Sequence, residues 1–225
     1  KRNFTSRIST KKLNGEVVII TKNRYFNILF IFLIIIVIPL LAKAQTENKH
    51  LIKKTSEYFN NIESLKSKFI QIDQNGNSSS GVIFLQRPGK MRIEYNKPDQ
   101  ILIVVDGYYL IYVDEEIDQA TYMDINDTPA KYLVDPDWSF GSEAIEIYDA
   151  NTDGDLINIY AKPYDKKSKE RIKFIFKEKP LELRQWEIID QKKNSITVTL
   201  YDVELNNELE SKLFKYEEYD LFDKD

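Results

Sequence analysis

Two neighbouring stretches decide the fold, GVIFLQRPGKMRIEY (residues 81–95) and ILIVVDGYYLIYV (residues 101–113). They contain four apolar runs, each about as long as a typical strand. The runs are separated by Pro88-Gly89, by Asn96-Lys97-Pro98 and by Asp106-Gly107, all of which are strong turn signals. The pattern predicts an antiparallel meander of four strands.

The second run shows a clear two-residue period. Met91, Ile93 and Tyr95 alternate with charged residues, as expected for a strand with one dry face and one wet face. The first and third runs are apolar on both faces, so their periodicity does not identify the residues that face the interior.

Two geometries remain open at the first turn of the meander. A tight two-residue turn at Pro88-Gly89 places Val82 and Phe84 on the same face as Met91. A bulge at that corner places the odd-numbered residues on that face instead, namely Ile83, Leu85 and Arg87.

Two helices are predicted, and the first of them must lay its apolar stripe on the sheet. Residues 47–62 carry an apolar stripe at helical spacing opposite a lysine-rich face, and Thr46 is a suitable N-cap. A shorter helix is expected to begin with Thr128 as its N-cap and Pro129 at the first helical position. The stripe of the first helix consists of Leu51, Ile52, Thr55, Tyr58, Phe59 and Ile62.

The remaining apolar segments predict further strands at a spacing typical of a β-sandwich or barrel. Residues 75–81, which are rich in Asn, Ser and Gly, are expected to form a flexible hairpin loop. The additional strands are expected at residues 65–73, 119–125, 143–148, 156–161, 171–176, 183–189 and 195–203.

The first 44 residues predict a secretory signal peptide with an upstream extension. An uncharged apolar run at residues 26–41 follows Lys22 and Arg24 and precedes Ala42-Lys43-Ala44, a small-x-small cleavage site. The run is shorter than the ~20 apolar residues of a membrane-spanning helix, and a permanent membrane anchor is the alternative. We expect cleavage after Ala44, no fold in residues 1–21, and a single domain at residues 45–225.

Charge limits the partners of that domain. The first 44 residues contain eight of the 32 basic residues and one of the 36 acidic residues, so residues 45–225 carry a net charge of −11. Such a surface repels nucleic acid and anionic lipid headgroups. We therefore expect no nucleic-acid partner. The segment is long enough to form one domain with a sizeable core.

The residue inventory argues against enzymatic chemistry and metal binding. The chain has no Cys, and its one histidine, His50, lies on the first helix, far in sequence from any serine at a strand end. The seven glycines do not form a phosphate-binding loop. The acidic residues are expected mainly on the solvated surface rather than as a glycosidase pair, and Asp153-x-Asp155 is more typical of a hairpin turn than of a cation site. We expect no catalytic residue, no metal and no cofactor.

The meander also carries a resemblance to a known family. The string RPGKMRIEY (residues 87–95), followed by Pro98 and by Asp106-Gly107 before an aromatic strand, resembles the periplasmic outer-membrane lipoprotein carrier family, LolA. Phe69-x-Gln71 and Leu213-Phe214 resemble other segments of that family. The resemblance implies a mainly β fold with an α-helical lid: an incomplete, half-closed antiparallel β-barrel, in which an N-terminal amphipathic helix and a short second helix cover an apolar cavity.

The resemblance also implies roles for individual residues. The arginine matching Arg87 gates the lid by hydrogen bonding to the lid helices, and the alternative is a surface arginine before a turn. The cargo cavity candidates are Phe69, Phe84, Leu85, Met91, Ile93, Tyr95, Leu102 and Tyr112. The lid candidates are Leu51, Ile52, Thr55, Tyr58, Phe59, Pro129, Ala130 and Leu133.

The implied function is that of a monomeric periplasmic chaperone. It takes lipoproteins from the inner membrane, shields their acyl chains and delivers them to the outer membrane. Its implied partners are acylated lipoproteins as cargo, an inner-membrane lipoprotein-releasing ABC transporter complex, and an outer-membrane lipoprotein receptor where one is present. The alternative is a non-transporting periplasmic sensor or scaffold of the same fold that binds lipids or lipoproteins.

Overall fold

The computed structural model describes residues 8–13, 16–21, 47–128, 130–134, 145–164 and 168–216. The chain divides into two compact units, Lys1–Glu47 and Asn48–Asp225. In the first unit, β1 (Ile8–Leu13) pairs antiparallel with β2 (Glu16–Thr21). The expectation that residues 1–21 have no fold is therefore wrong.

The predicted signal peptide stays a prediction. Its apolar run at residues 26–41, the cleavage site after Ala44 and the proposed N-cap Thr46 all lie outside the described residues. Of the helices in the described part of the chain, none has both the length and the apolar character needed to span a bilayer.

Within the described part of the second unit, eleven strands form one antiparallel sheet. Their order across the sheet is β8-β7-β6-β5-β4-β3-β13-β12-β11-β10-β9, and β8 and β9 lie at its two ends, so the sheet is not closed. This confirms the prediction of a mainly β, open antiparallel architecture. The strands are β3 (Ser64–Asp73), β4 (Ser78–Gln86), β5 (Lys90–Tyr95), β6 (Ile101–Val105), β7 (Tyr109–Asp114), β8 (Gln119–Asp124), β9 (Ile145–Asp153), β10 (Leu156–Pro163), β11 (Arg171–Lys177), β12 (Glu182–Ile189) and β13 (Ser195–Leu205).

The turn between β3 and β4 is tighter than predicted. The Asp73 carboxylate accepts hydrogen bonds from the backbone N–H groups of Asn75 and Asn77, at 2.8 and 2.9 Å. A further bond from the Asn77 side chain is the main reason that the pKa of Asp73 lies below its usual value. Because the carboxylate closes the turn, Ser78–Ser80 pair with β3 and extend β4 into the region expected to be a loop.

The turn between β4 and β5 adopts the second of the two geometries left open by the sequence. Gln86 pairs with Lys90, which leaves Arg87, Pro88 and Gly89 as a three-residue loop. Ile83 then lies opposite Ile93, and Leu85 lies opposite Met91. The odd-numbered residues of β4 therefore share a face with Met91, as a bulged corner requires.

This register corrects two of the cavity assignments. Phe84 lies opposite Arg92, and Leu102 lies opposite Glu94, so both occupy the face that carries the charged residues of β5. Leu102 packs there in a separate apolar cluster with Val104, Ile111 and Val113. Placing Phe84 and Leu102 on the same face as Met91 is wrong, because a strand that is apolar on both sides does not reveal its register.

Helix α1 (residues 47–60) packs on the face of the sheet that carries Met91, which we call the inner face. Leu51, Thr55 and Phe59 of α1 are buried. The Phe59 ring lies edge-on to Phe174 with centroids 6.0 Å apart, and the backbone N–H of Leu183 donates to the Tyr58 hydroxyl oxygen at 3.2 Å. The predicted packing of the apolar stripe on the sheet is confirmed.

Helix α2 (Lys131–Val134) is short, as predicted, but begins two residues later. The Thr128 hydroxyl donates back to the Ile125 carbonyl at 3.0 Å, which closes a 3-10 turn at Ile125–Asp127. The backbone of Ala130 accepts the first bond of the helix, from Leu133 at 2.9 Å. Thr128 is therefore not the N-cap of α2, and Pro129 lies outside the described residues.

The face opposite α1, which we call the outer face, is partly covered by the last described residues of the chain. Tyr216 packs against the cluster of Leu102, Val104, Ile111 and Val113. Arg92 donates to the Leu213 carbonyl at 3.3 Å, which attaches the 3-10 turn Ser211–Phe214 to β5.

Gly81 allows the backbones of β4 and β5 to approach closely beside the rings of Phe69 and Tyr95. A Cβ atom at Gly81 would lie 2.0 Å from the Glu94 carbonyl oxygen and 2.8 Å from a ring carbon of Phe69. We expect Gly81→Ala to lower the free energy of unfolding in urea by about 3 kcal/mol, because the backbone of β5 must shift.

The control for this variant is Ser79→Ala, which changes the neighbouring small residue on the same face. We expect Ser79→Ala to change the free energy of unfolding by no more than about 0.5 kcal/mol. Equal stability of the two variants would contradict the close approach at Gly81.

Candidate functional site

The inner face is buried near the C-terminal end of α1 and half exposed farther away. Leu65, Leu85 and Met91 are at most 5% exposed. Along the same sheet, other apolar residues of the inner face remain partly accessible, with Met123 at 37% and Ile196 at 41%. The half-exposed inner residues are Ile93, Tyr95, Ile103, Tyr112, Met123, Ile188 and Ile196.

Six of the eight predicted cavity residues lie together on the inner face. Phe69, Leu85 and Met91 belong to its buried part. Ile93, Tyr95 and Tyr112 belong to its half-exposed part. Alternation with charged residues had indicated the face of Met91, Ile93 and Tyr95, whereas the face of Leu85 follows only from its pairing with Met91.

Tyr95 and Gln71 form a polar pair on this apolar surface. The Tyr95 hydroxyl donates to Gln71 Oε1 at 2.9 Å, and the Tyr95 ring lies edge-on to Phe69 with centroids 5.2 Å apart. Burial raises the pKa of Tyr95 to about 12, so the hydroxyl stays protonated at neutral pH. Gln71 was not among the predicted site residues, although its spacing of two from Phe69 places it on the same face.

Arg87 lies where the sheet, α1 and α2 meet. Its Nη1 donates to the Phe59 carbonyl, in the last turn of α1, at 3.0 Å, and its guanidinium carbon lies 5.1 Å from the Phe59 ring centroid. Two residues later, the backbone N–H of Gly89 donates to the Val134 carbonyl of α2 at 2.8 Å. The loop at residues 87–89 therefore donates a hydrogen bond to a backbone carbonyl of each helix.

Helix α2 has a second attachment through Tyr132. Its hydroxyl donates to Glu170 Oε2 at 2.9 Å. Burial, and then the neighbouring Glu170 carboxylate, raise the pKa of Tyr132 above its usual value. Leu133 and Val134 are buried with the α1 residues in the same apolar cluster.

A separate pocket of about 660 Å³ lies beside Arg87 at the end of the sheet. Its walls are mainly polar, so it does not suit hydrocarbon chains. The lining residues are Glu63, Ser64, Gln86, Arg87, Asn206, Asn207, Glu208, Leu209 and Ser211.

The described residues offer no cluster of three or more His, Asp or Glu side chains arranged to hold a metal ion. His50 is exposed on α1. The described side chains of the inner face offer apolar contact, supplemented by a few hydrogen-bonding groups.

Curated relatives share parts of this chain. An outer-membrane lipoprotein carrier protein of Dechloromonas aromatica is 37% identical over 89 residues, which cover 37% of this chain and 40% of the relative. One of Methylococcus capsulatus is 32% identical over 100 residues, covering 40% of this chain and 47% of the relative. The chain thus matches less than half the length of these two relatives. A carrier protein of Pseudomonas paraeruginosa is 22% identical over 184 residues, covering 77% of this chain and 86% of the relative.

Among solved structures, a LolA superfamily protein of Nitrosomonas europaea is similar with a TM-score of 0.45 and 10% sequence identity. The match covers 77% of this chain and 97% of that protein.

The family model described as outer membrane lipoprotein carrier protein LolA matches residues 60–217. That range is well over half of the chain and contains all eleven strands of the large sheet. The chain therefore belongs to the LolA family.

Proposed function

We propose that this protein is a periplasmic carrier that takes acylated lipoproteins from the inner membrane and delivers them to the outer membrane. Its acyl-binding surface is the half-exposed part of the inner face, and α1 and α2 form the lid. The observation that carries the proposal is an apolar face, buried beneath a helix at one end and accessible at the other, in a LolA-family chain. Carriers of this family act by binding, and the chain is not an enzyme.

Acyl chains suit this surface because apolar burial is their main source of binding free energy. Each buried methylene contributes about 0.8 kcal/mol, so sheltering one long chain gains on the order of 10 kcal/mol before entropic costs. A carrier must also release its cargo. A lid that closes over the empty surface competes with the cargo and lowers its apparent affinity.

Arg87 is the proposed gate of this lid. Its bond to the Phe59 carbonyl and the Gly89 bond to the Val134 carbonyl join the two helices to the end of the sheet. A charged donor paired with a carbonyl in a partly buried site contributes about 1.5–3 kcal/mol. Breaking that bond is therefore enough to change the equilibrium constant between the closed and open forms by one to two orders of magnitude.

The proposed partners follow from this cycle. An inner-membrane lipoprotein-releasing ABC transporter complex supplies the cargo, and an outer-membrane receptor, where present, accepts it. The net charge of −11 on residues 45–225 limits attraction to anionic lipid headgroups between these two steps.

The carrier function is tested with inner-membrane vesicles loaded with an acylated lipoprotein. We expect the protein to move the lipoprotein into the soluble fraction as a 1:1 complex, measured by sedimentation and gel filtration. Ile196→Asn, on the half-exposed inner face, should lower the yield about tenfold by removing apolar contact with the cargo.

The matched control is Ile72→Asn. Ile72 lies on the adjacent strand but on the outer face, and its exposure of 46% is close to the 41% of Ile196, so neither variant should unfold the protein. Release of free lipid without lipoprotein would support the sensor or scaffold alternative. Equal losses in the two variants would contradict the assignment of the inner face.

The gate is tested with Arg87→Leu. Removal of the bond to the Phe59 carbonyl should favour the open form, so the variant should capture lipoprotein normally but deliver at least tenfold less to an outer-membrane acceptor fraction. The control is Lys66→Leu, because the Lys66 side chain is 45% exposed on the outer face and pairs with Glu204. Normal delivery by Arg87→Leu would contradict the gate.

A further inference from the structure

The inner face contains two hydrogen-bonding side chains, Gln71 and Tyr95, among its apolar residues. Gln71 lies opposite Val198 on one side and Ser79 on the other, and Tyr95 lies opposite Gly81. Around them the same face carries Phe69 and Ile93. The Gln71–Tyr95 pair is thus a polar island within the surface proposed to bind acyl chains.

The pair keeps two donor hydrogens after its own bond is made. A glutamine amide has two N–H donors and a tyrosine has one O–H donor. The bond of 2.9 Å between the Tyr95 hydroxyl and Gln71 Oε1 uses one of these three. Neither amide hydrogen of Gln71 is bonded to another group in the part of the chain that the structure describes.

These donors are half-buried, so water can satisfy them while the surface is empty. A hydrocarbon chain lying over the pair would remove that water and offer no acceptor in return. A ligand with a carbonyl oxygen at this position would replace the water. The surface is therefore suited to a ligand in which an acyl chain is attached through an ester or amide.

The charges near the pair select further among such ligands. The Asp73 carboxylate lies two residues beyond Gln71 on the same strand face, and the Asp99 carboxylate acts on Tyr95 electrostatically. A free fatty acid would bring a third carboxylate into this neighbourhood. A neutral ester or amide carbonyl avoids that repulsion.

We propose that Gln71 and Tyr95 form a recognition site for the ester and amide carbonyl groups that join acyl chains to the cargo. This inference rests on the proposed carrier function and adds a chemical selectivity to it: neutral acyl esters and amides bind better than alkyl ethers or free fatty acids. Gln71 supplies the donors, and Tyr95 orients the amide.

The test compares two ligands that differ only in the carbonyl group, 1-palmitoylglycerol and 1-O-hexadecylglycerol. Each displaces a fluorescent apolar probe from the protein, and the ratio of their affinities is measured. We expect the ester to bind about tenfold more tightly than the ether, and palmitate at pH 8 to bind more weakly than the ester. Gln71→Leu should bring the ester-to-ether ratio close to one.

Two further variants separate recognition from folding. Gln71→Glu keeps the shape of the side chain and the acceptor for Tyr95 but has no donor at pH 8, so it too should lose the preference for the ester. Gln185→Leu is the matched control, because Gln185 is a half-buried glutamine of the same sheet on the outer face, and it should keep the tenfold ratio.

The outcomes distinguish this site from the carrier function itself. Equal binding of ester and ether by the unaltered protein, or an unchanged ratio in Gln71→Glu, overturns the carbonyl site and leaves the carrier function standing. Failure of both ligands to displace the probe overturns the carbonyl site and the proposed carrier function together, because the inner face would then not bind acyl chains.

Discussion

The pairing of Gln86 with Lys90 across a three-residue loop is the constraint on which the rest of this structure depends. It places Leu85 opposite Met91 and Ile83 opposite Ile93, so that one side of the meander becomes continuously apolar. A slip of one residue would exchange the faces of β4 and bring Phe84 beneath α1. In the same loop, Arg87 donates to the Phe59 carbonyl and Gly89 donates to the Val134 carbonyl. One turn therefore both sets which residues lie on each face and attaches the two helices to the sheet.

The inner face is not uniformly packed, and the proposed carrier function depends on this unevenness. Near α1, Phe59 fills the space against Phe174, and the surrounding aliphatic residues are almost fully buried. Toward Ile196 the same face keeps apolar surface accessible to solvent. The hydrophobic contribution to folding scales with the apolar area removed from water, so it comes mainly from the first region. The second region keeps apolar area that the proposed ligand would bury.

The outer face has a different organisation. Its apolar cluster at Leu102 and Val104 is covered by Tyr216, and Arg92 holds the preceding 3-10 turn in place. The two faces thus bury their apolar residues by different means, a helix on one side and the end of the described chain on the other.

Local sequence determined a large part of this protein. The alternation of Met91, Ile93 and Tyr95 with charged residues identified one strand and its dry face, the stripe from Leu51 to Phe59 identified α1, and the turn residues set most strand boundaries. The string at residues 87–95 was enough to suggest the family. Such features depend on neighbours along the chain, and for that reason a single sequence reveals them.

Other features were decided only by the tertiary structure. Phe84 and Leu102 lie in strands that are apolar on both sides, so their outer position depends on cross-strand register and not on their own periodicity. Thr128 bonds back to Ile125 because the preceding 3-10 turn competes for its hydroxyl. The Gln71–Tyr95 pair joins residues from different strands, β3 and β5, that meet across the glycine of β4. The physical reason is common to all three: local sequence sets which conformations a segment favours, whereas pairing between segments distant in the chain selects which side chains meet.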